Sequence, residues 1–243
     1  MIMSIRWNEI QGIVFDAVGT LIEPSPSVAM VYAQAAARQG IDVELHDVKD
    51  RFHRYFRNDE IDDLRGPLAT DEILERRRWR RIVSNVLPDL PDADRGFEEL
   101  WEHFGSPSSW RLFDDVANAM ELLEGAGFPI RIASNFDRRL RGVVAGLPQL
   151  DGRVHPLVIS SEVGYRKPHP RFYEASCESL GLPPSRVLYI GDDAENDVRG
   201  PRRAGLAGLL LDRDSRHPDD IPYVPNLHVL IDYLIGSGVA VQS

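Results

Sequence analysis

Asp16 closes the short apolar run Gly12–Phe15, Ser134 and Asn135 follow Ile132-Ala133, and Asp192 and Asp193 follow Val187–Gly191. Lys167 stands in the loop after a further apolar stretch, Val154–Ile159. A carboxylate at a strand end becomes a nucleophile when nearby cations keep it ionised and a metal or lysine neutralises the anion it attacks. Asp16 with Asp192 offers hard oxygen ligands of the kind Mg²⁺ takes beside waters and phosphate oxygens. The Ser134 hydroxyl, with backbone N–H groups beside it, suits a phosphoryl oxygen. Lys167 supplies the point positive charge that a phosphate or an aspartyl nucleophile needs. Each position alone also has a plainer reading, since Asp, Ser and Asn are ordinary turn formers.

What gathers such residues is the elements they terminate. Gly12–Phe15, Pro129–Ala133, Val154–Ile159, Val187–Ile190 and Ala207–Leu211 read as strands, with helical segments between the later ones. Strands that alternate with helices build a parallel sheet covered on both faces, and functional groups collect at its carboxyl edge. Between Val28 and about Phe104 the pattern changes. Met30–Ala37, Val48–Phe56, Ile73–Val83 and Phe97–Phe104 carry helical apolar spacing, and no strand is evident. Pro/Ser-rich stretches at Glu23–Ser27 and Gly105–Ser109 bracket this insert and break helices. The expected architecture is α/β: a Rossmann-like, doubly wound parallel sheet formed by residues 1–22 and 111–243, with a small all-α cap domain, 23–110, inserted after the first strand.

Composition narrows the partners. At 243 residues, 43% hydrophobic and 27% charged, the chain is globular material, not a disordered or fibrous one. A net charge of -10 argues against nucleic acid as the main partner. The acid excess is shared by the insert and the remainder, so a local cationic pocket for an anion stays open. Cys177 is the single cysteine and cannot form an internal disulfide, which suits a reducing compartment. No apolar run reaches the ~18 residues of a membrane span, and MIMSIRWNEI lacks the apolar stretch of a secretory signal. The expectation is a cytoplasmic protein with no membrane partner. Nothing in the sequence speaks to oligomeric state.

The order of the motifs carries more than any one of them. Phe15-Asp16-Ala17-Val18-Gly19-Thr20-Leu21, Ile132–Asn135, Gly164–Phe172 and Ile190–Gly200 resemble, in sequence order, the four motifs of the haloacid dehalogenase (HAD) superfamily. The helical insert occupies that family's C1-type cap position, so the resemblance spans essentially the whole chain. It implies a hydrolase in which Asp16 is the nucleophile and forms an aspartyl-phosphate. Ser134 and Lys167 would stabilise the phosphoryl group, and Thr20 and Asn135 would touch the substrate. Asp16, the backbone carbonyl of Val18 and Asp192 would hold Mg²⁺, with Asp193 or Asp197 as a further or outer ligand. Lys167, one of only two lysines among 28 basic residues, falls where the family requires a lysine.

The chain departs from the family's phosphatases at one position. They carry a second aspartate two residues after the nucleophile, which protonates the leaving group and then deprotonates water. Here that residue is Val18. General acid–base help contributes roughly 10²–10⁴-fold, so the resemblance implies slow or specialised turnover of a small phosphorylated metabolite. Asp137 and Glu23 are the substitutes near enough in sequence to weigh. A non-enzymatic phosphate- or metal-binding or protein-interaction module is the alternative. Phosphonate or carbon–halogen cleavage is a third. The family's dehalogenases have an aromatic residue at position 18 and work without metal, whereas this chain keeps Gly191-Asp192-Asp193. Its phosphonate hydrolases use a cap lysine as a Schiff base, and Lys49 is the one cap lysine, among Asp47, Asp50 and Arg51 on a polar helix face. Arg76–Arg81, interrupted by Trp79, reads as a solvated face pairing with Asp71, Glu72 and Glu75, or as a source of one or two arginines for an anionic substrate. Asp197 has a plain reading as a partner of Arg199 or Arg202. His169 has no evident task, and Cys177 reads as a packing residue.

Overall fold

A computed structural model of the chain describes residues 5–215, 218 and 220–236. Its centre is a six-stranded parallel sheet in the order β5-β4-β1-β6-β7-β8. The strands are β1 (Gly12–Phe15), β4 (Ile130–Ser134), β5 (Val158–Ile159), β6 (Val187–Gly191), β7 (Ala207–Leu211) and β8 (Tyr223–Val224). Every residue of β1 is buried, because side chains alternate between two covered faces. Ile13 and Phe15 enter a cluster with Ile132, Ile190 and the helices α5 (Val116–Gly125), α6 (Arg139–Ala145) and α10 (Leu227–Leu234). Val14 points the other way, to Ala133, Tyr189 and Phe172 of α8 (Pro170–Leu180).

Register then decides which side chains meet. Phe15 is paired with Ile132 on one side and Ile190 on the other. The residues that follow these three strands therefore emerge side by side at the carboxyl edge. The short helix α7 (Ser160–Val163) and the loop to α8 bring Lys167 to the same edge.

The insert folds as four helices, α1 (Val28–Ala37), α2 (Leu45–Leu64), α3 (Glu72–Val86) and α4 (Ala93–His103), called the cap below. They share a hydrophobic cluster of their own, from Val31 and Tyr32 to Phe97 and Leu100. Capping marks their starts: Asp71 accepts from Leu74 N at 2.7 Å, and Asp92 from Arg95 N at 2.9 Å.

Two expectations need correction. The first Pro/Ser stretch, Glu23–Ser27, is partly strand: β2 (Ile22–Pro24) pairs antiparallel with β3 (Trp110–Leu112), which begins directly after the second stretch, Gly105–Ser109. A two-stranded ribbon has only edge strands, where a proline costs no ladder bond. The strand expected over Val154–Ile159 shrinks to Val158–Ile159, since Pro156 has no N–H to donate. The short strand β8 and helix α9 (Gly200–Arg203) complete the core.

Candidate active site

Asp16 leaves β1 with its N–H donating to Ile190 O at 2.8 Å, and the chain turns at once. Leu21 N and Ile22 N both donate to Ala17 O, and Gly19 adopts φ +84. A side chain at Gly19 would meet the Asp192 carboxylate as well as a disfavoured backbone conformation. This glycine therefore lets the first loop lie against the loop that follows β6. Thr20, expected to touch substrate, is fully buried, does not line the cavity, and donates to Asp192 Oδ1 at 3.4 Å. Its place is to orient Asp192.

Asn135, also expected to touch substrate, lines the cavity and holds the lysine loop. Its Oδ1 accepts from Lys167 N at 2.7 Å and its Nδ2 donates to Lys167 O at 3.3 Å, so one amide clamps both backbone polar groups of the lysine. The Lys167 ammonium reaches Asp16 Oδ1 at 2.8 Å and Asp197 Oδ1 at 2.7 Å. Burial alone lowers a lysine, but Asp16 and Asp197 overrule it and hold Lys167 well above its ordinary range. Ser134 is 3% exposed and lines the cavity beside these groups.

Asp192, Asp193 and Asp197 arrive on β6 and the helical turn Ala194–Arg199 that follows it. Asp193 Oδ1 accepts from Glu195 N and Asn196 N, at 3.0 and 2.7 Å, and so caps that turn. Asp197 is not the partner of Arg199 or Arg202 that its spacing suggests; Arg199 pairs with Asp220. Instead Asp197 faces Lys167 with one oxygen and accepts from Asp193 N with the other, at 3.0 Å. Gly191 makes this possible, because a Cβ there would run into the Asp197 carboxylate.

Carboxylate oxygens of Asp16, Asp192 and Asp197 lie within 4.8 Å of one another. Asp192 is open to the cavity, with protein packed around it that partly desolvates its carboxylate. That desolvation, then Asp16 and Asp197, raises its carboxyl well above the usual range. Burial also raises Asp197, with Asp16 and Asp193 adding to it against Lys167. Three hard carboxylates facing one ammonium make a donor set that fits a divalent cation such as Mg²⁺.

Above this edge a cavity of about 490 Å³ lies between core and cap. Its floor includes Asp16, Val18, Ser134, Lys167 and Asp192, and much of its wall is aromatic. Buried Glu75 accepts from the Thr70 hydroxyl at 2.7 Å and pairs with Arg166, the residue before Lys167. The sequence reading gave Glu75 to the arginine run and assigned no role to Arg166 or Tyr32. The adjacency of Arg166 to Lys167 was the one available signal.

The remaining candidates fall elsewhere. Asp137 is fully buried in a two-pronged pair with Arg139, at 2.7 Å on each oxygen, and Glu23 pairs with Arg111 at 2.7 Å. Neither lines the cavity. Lys49 is exposed and also outside its lining. The arginine run pairs across helices rather than along its own: Arg76 and Arg80 with Glu98, Arg80 also with Asp94, Arg78 and Arg81 with Asp59. Of its arginines, only Arg78 lines the cavity. His169 acquires a task, since its Nδ1 accepts from Arg171 N at 3.2 Å and caps α8.

A family model described as haloacid dehalogenase-like hydrolase matches residues 10–205. Human haloacid dehalogenase-like hydrolase domain-containing protein 3 is 26% identical over 230 residues, covering 91% of this chain and 90% of its own. Phosphoserine phosphatase of Thermus thermophilus is 38% identical over 240 residues, covering 89% of this chain and 94% of its own. The solved structure of L-2-haloacid dehalogenase from Xanthobacter autotrophicus, with chloropropionic acid covalently bound, has a TM-score of 0.71 at 19% identity. That match covers 93% of this chain and 99% of the dehalogenase and speaks for the fold alone. No helix among the described residues is long and apolar enough to cross a membrane.

Proposed function

Because the chain belongs to the haloacid dehalogenase-like hydrolases, we propose that it hydrolyses small phosphorylated compounds in a Mg²⁺-dependent reaction with Asp16 as nucleophile. The observation that carries this reading is the Lys167 ammonium shared between Asp16 and Asp197, with Asp192 beside them. Asp16, Asp192 and the carbonyl of Val18 would hold the metal. Asp197, whose oxygens already serve Lys167 and Asp193 N, would act as an outer partner. Bound there, Mg²⁺ supplies counter-charge to phosphate oxygens.

The chain's own groups do the rest. Lys167 donates to Asp16 beside the cavity, and Asn135 fixes the lysine by its backbone. Ser134 offers its hydroxyl to a phosphoryl oxygen. Asp16 then attacks phosphorus, and water later hydrolyses the acyl phosphate. The relative named a phosphoserine phosphatase agrees with this chemistry. A metal-free displacement of halide, by contrast, has no use for three clustered carboxylates.

Phosphate release from a panel of phosphate esters tests the reading, run with Mg²⁺, with chelator, and on Asp16→Asn. Turnover requires the metal, and Asp16→Asn lowers kcat/KM by at least about a thousandfold. Equal turnover by the native chain and Asp16→Asn refutes the assignment.

A further inference from the structure

We propose that the leaving group of this site is a phenol: the substrate is an aryl phosphate, and ordinary alkyl phosphates are poor substrates. The inference rests on the phosphatase reading above and specifies the half of the substrate which that reading leaves open.

The first argument concerns the proton. An alkoxide leaves phosphorus slowly unless an acid protonates it as the bond breaks. At position 18, beside the nucleophile, the cavity wall is a valine. Glu75 and the aspartates of the core edge around the cavity are committed. Glu75 holds Thr70 and Arg166, Asp193 caps its turn, and Asp197 is bonded to Lys167 and Asp193 N. Asp192 faces the Thr20 hydroxyl within the carboxylate cluster. The ammonium of Lys167 is bound by two carboxylates. His53 and Glu60 line the cavity from α2 of the cap, apart from the loop that carries Asp16. Tyr32 lines it too, and burial pushes its hydroxyl above the ordinary phenol range, making it a poorer acid than a free phenol. With no acid in the loop beside the nucleophile, the leaving oxygen departs as an anion. A phenol ionises near 10, about six units below water, so an aryl oxygen departs unaided far more readily than an alkyl one.

The second argument is the wall. Phe52, Phe56 and Trp79 of the cap face the cavity together with Trp101, Trp110 and Phe136. Rings stacked offset or edge-to-face at such walls recognise a planar aromatic body. A volume of about 490 Å³ accommodates one. The Tyr32 hydroxyl bonds to no described residue and is available to a polar substituent on that ring.

The step balances without an added reagent. An Asp16 oxygen bonds to phosphorus and the phosphorus–oxygen bond to the ring breaks. The electron pair stays on the phenolate, which takes its proton from water on release. Water then bonds to phosphorus, the acyl phosphate bond breaks to restore the carboxylate, and the water proton leaves with phosphate or solvent.

Three esters separate the arguments: phenyl phosphate has a ring and an acidic oxygen, benzyl phosphate a ring and an alcohol oxygen, ethyl phosphate neither. In the native chain kcat/KM for phenyl phosphate exceeds that for benzyl phosphate by about 10²–10⁴-fold, the range an absent general acid leaves uncorrected. Benzyl phosphate competes with a Ki near the phenyl KM, while ethyl phosphate competes at least about tenfold more weakly. Val18→Asp raises benzyl turnover and brings the ratio down by about tenfold or more. Benzyl phosphate cleaved as fast as phenyl phosphate by the native chain overturns the inference and leaves the phosphatase reading standing. If His53→Gln, Glu60→Gln or Tyr32→Phe then loses benzyl turnover selectively, that residue is the unrecognised acid. Ethyl phosphate binding as tightly as benzyl also overturns it. No phosphate from any ester, in native chain and Val18→Asp alike, sinks both readings together.

Discussion

Lys167 and Cys177 show how burial acts on single groups of opposite kind. The lysine stays charged because Asp16 and Asp197 meet it at hydrogen-bond distance. The thiol has no such partner: burial first, then Glu178, pushes Cys177 up to about 11. At pH 8 roughly a thousandth of it is thiolate, and the thiolate is the reactive form. A disulfide exchange reagent should leave the native chain unmodified at that pH and titrate one thiol after denaturation. Fast reaction of the native chain would show that α8 opens. Asp16, Ser134, Lys167 and Asp192 were legible as residues because each follows an apolar run at one end of a strand. Glu75 and Arg166 were not, because their meaning lies in a contact between residues 91 apart in the chain. Thr20 and Asn135 were visible as members of the site. Their partners, Asp192 and the Lys167 backbone, needed coordinates.

At the scale of elements, the end of the sheet is tied by one carboxylate. Asp115, before α5, receives Arg213 through two nitrogens at 3.0 and 2.9 Å and the first N–H of α10, from Leu227, at 2.8 Å. Burial on its own raises Asp115, but the Arg213 fork and the Leu227 N–H overrule it and lower the carboxyl below its ordinary value. Asp115→Asn leaves a largely buried guanidinium without its counter-charge and should cost about 2 kcal/mol in urea unfolding at pH 7. A depressed carboxyl stabilises above the pKa of the unfolded chain and loses that contribution as pH falls through the folded value. The difference between native and Asp115→Asn should therefore shrink below about pH 4. A difference that persists there would assign the loss to packing. Helices of ten or more residues were readable from apolar spacing. Strands of three, such as Ile22–Pro24 and Trp110–Leu112, were not, since so few positions show no period and Pro24 imitates a hinge.

Across the whole molecule, the cap is clasped to the core at a place other than its β2 and β3 connections. Ala69 bridges Tyr165, Thr70 N donates to Gly164 O at 3.0 Å, and Arg166 N donates to Leu68 O at 2.9 Å. Glu72 of α3 secures the clasp by accepting from Ser161 Oγ at 2.5 Å and from Arg138 N at 3.0 Å. Nearby, the Arg139 guanidinium lies 3.3 Å from the centroid of the Trp101 ring. Charge-assisted hydrogen bonds contribute about 1.5–3 kcal/mol each, so Glu72→Ala should raise the open fraction by about tenfold or more. Hydrogen exchange at the Thr70 and Arg166 amides reads this directly, and unchanged protection would mean that other contacts hold the cap shut. The central place of β1 has a consequence in time. Its partners β4 and β6 lie beyond the whole insert, with Ile13 paired to Ile130 and to Leu188. At translation speeds of about 5–20 residues per second, the newborn β1 waits on the order of ten seconds for its first neighbour. During that interval one of the most apolar segments of the chain has no sheet to join, and shielding it falls to the emerging cap helices or to a chaperone.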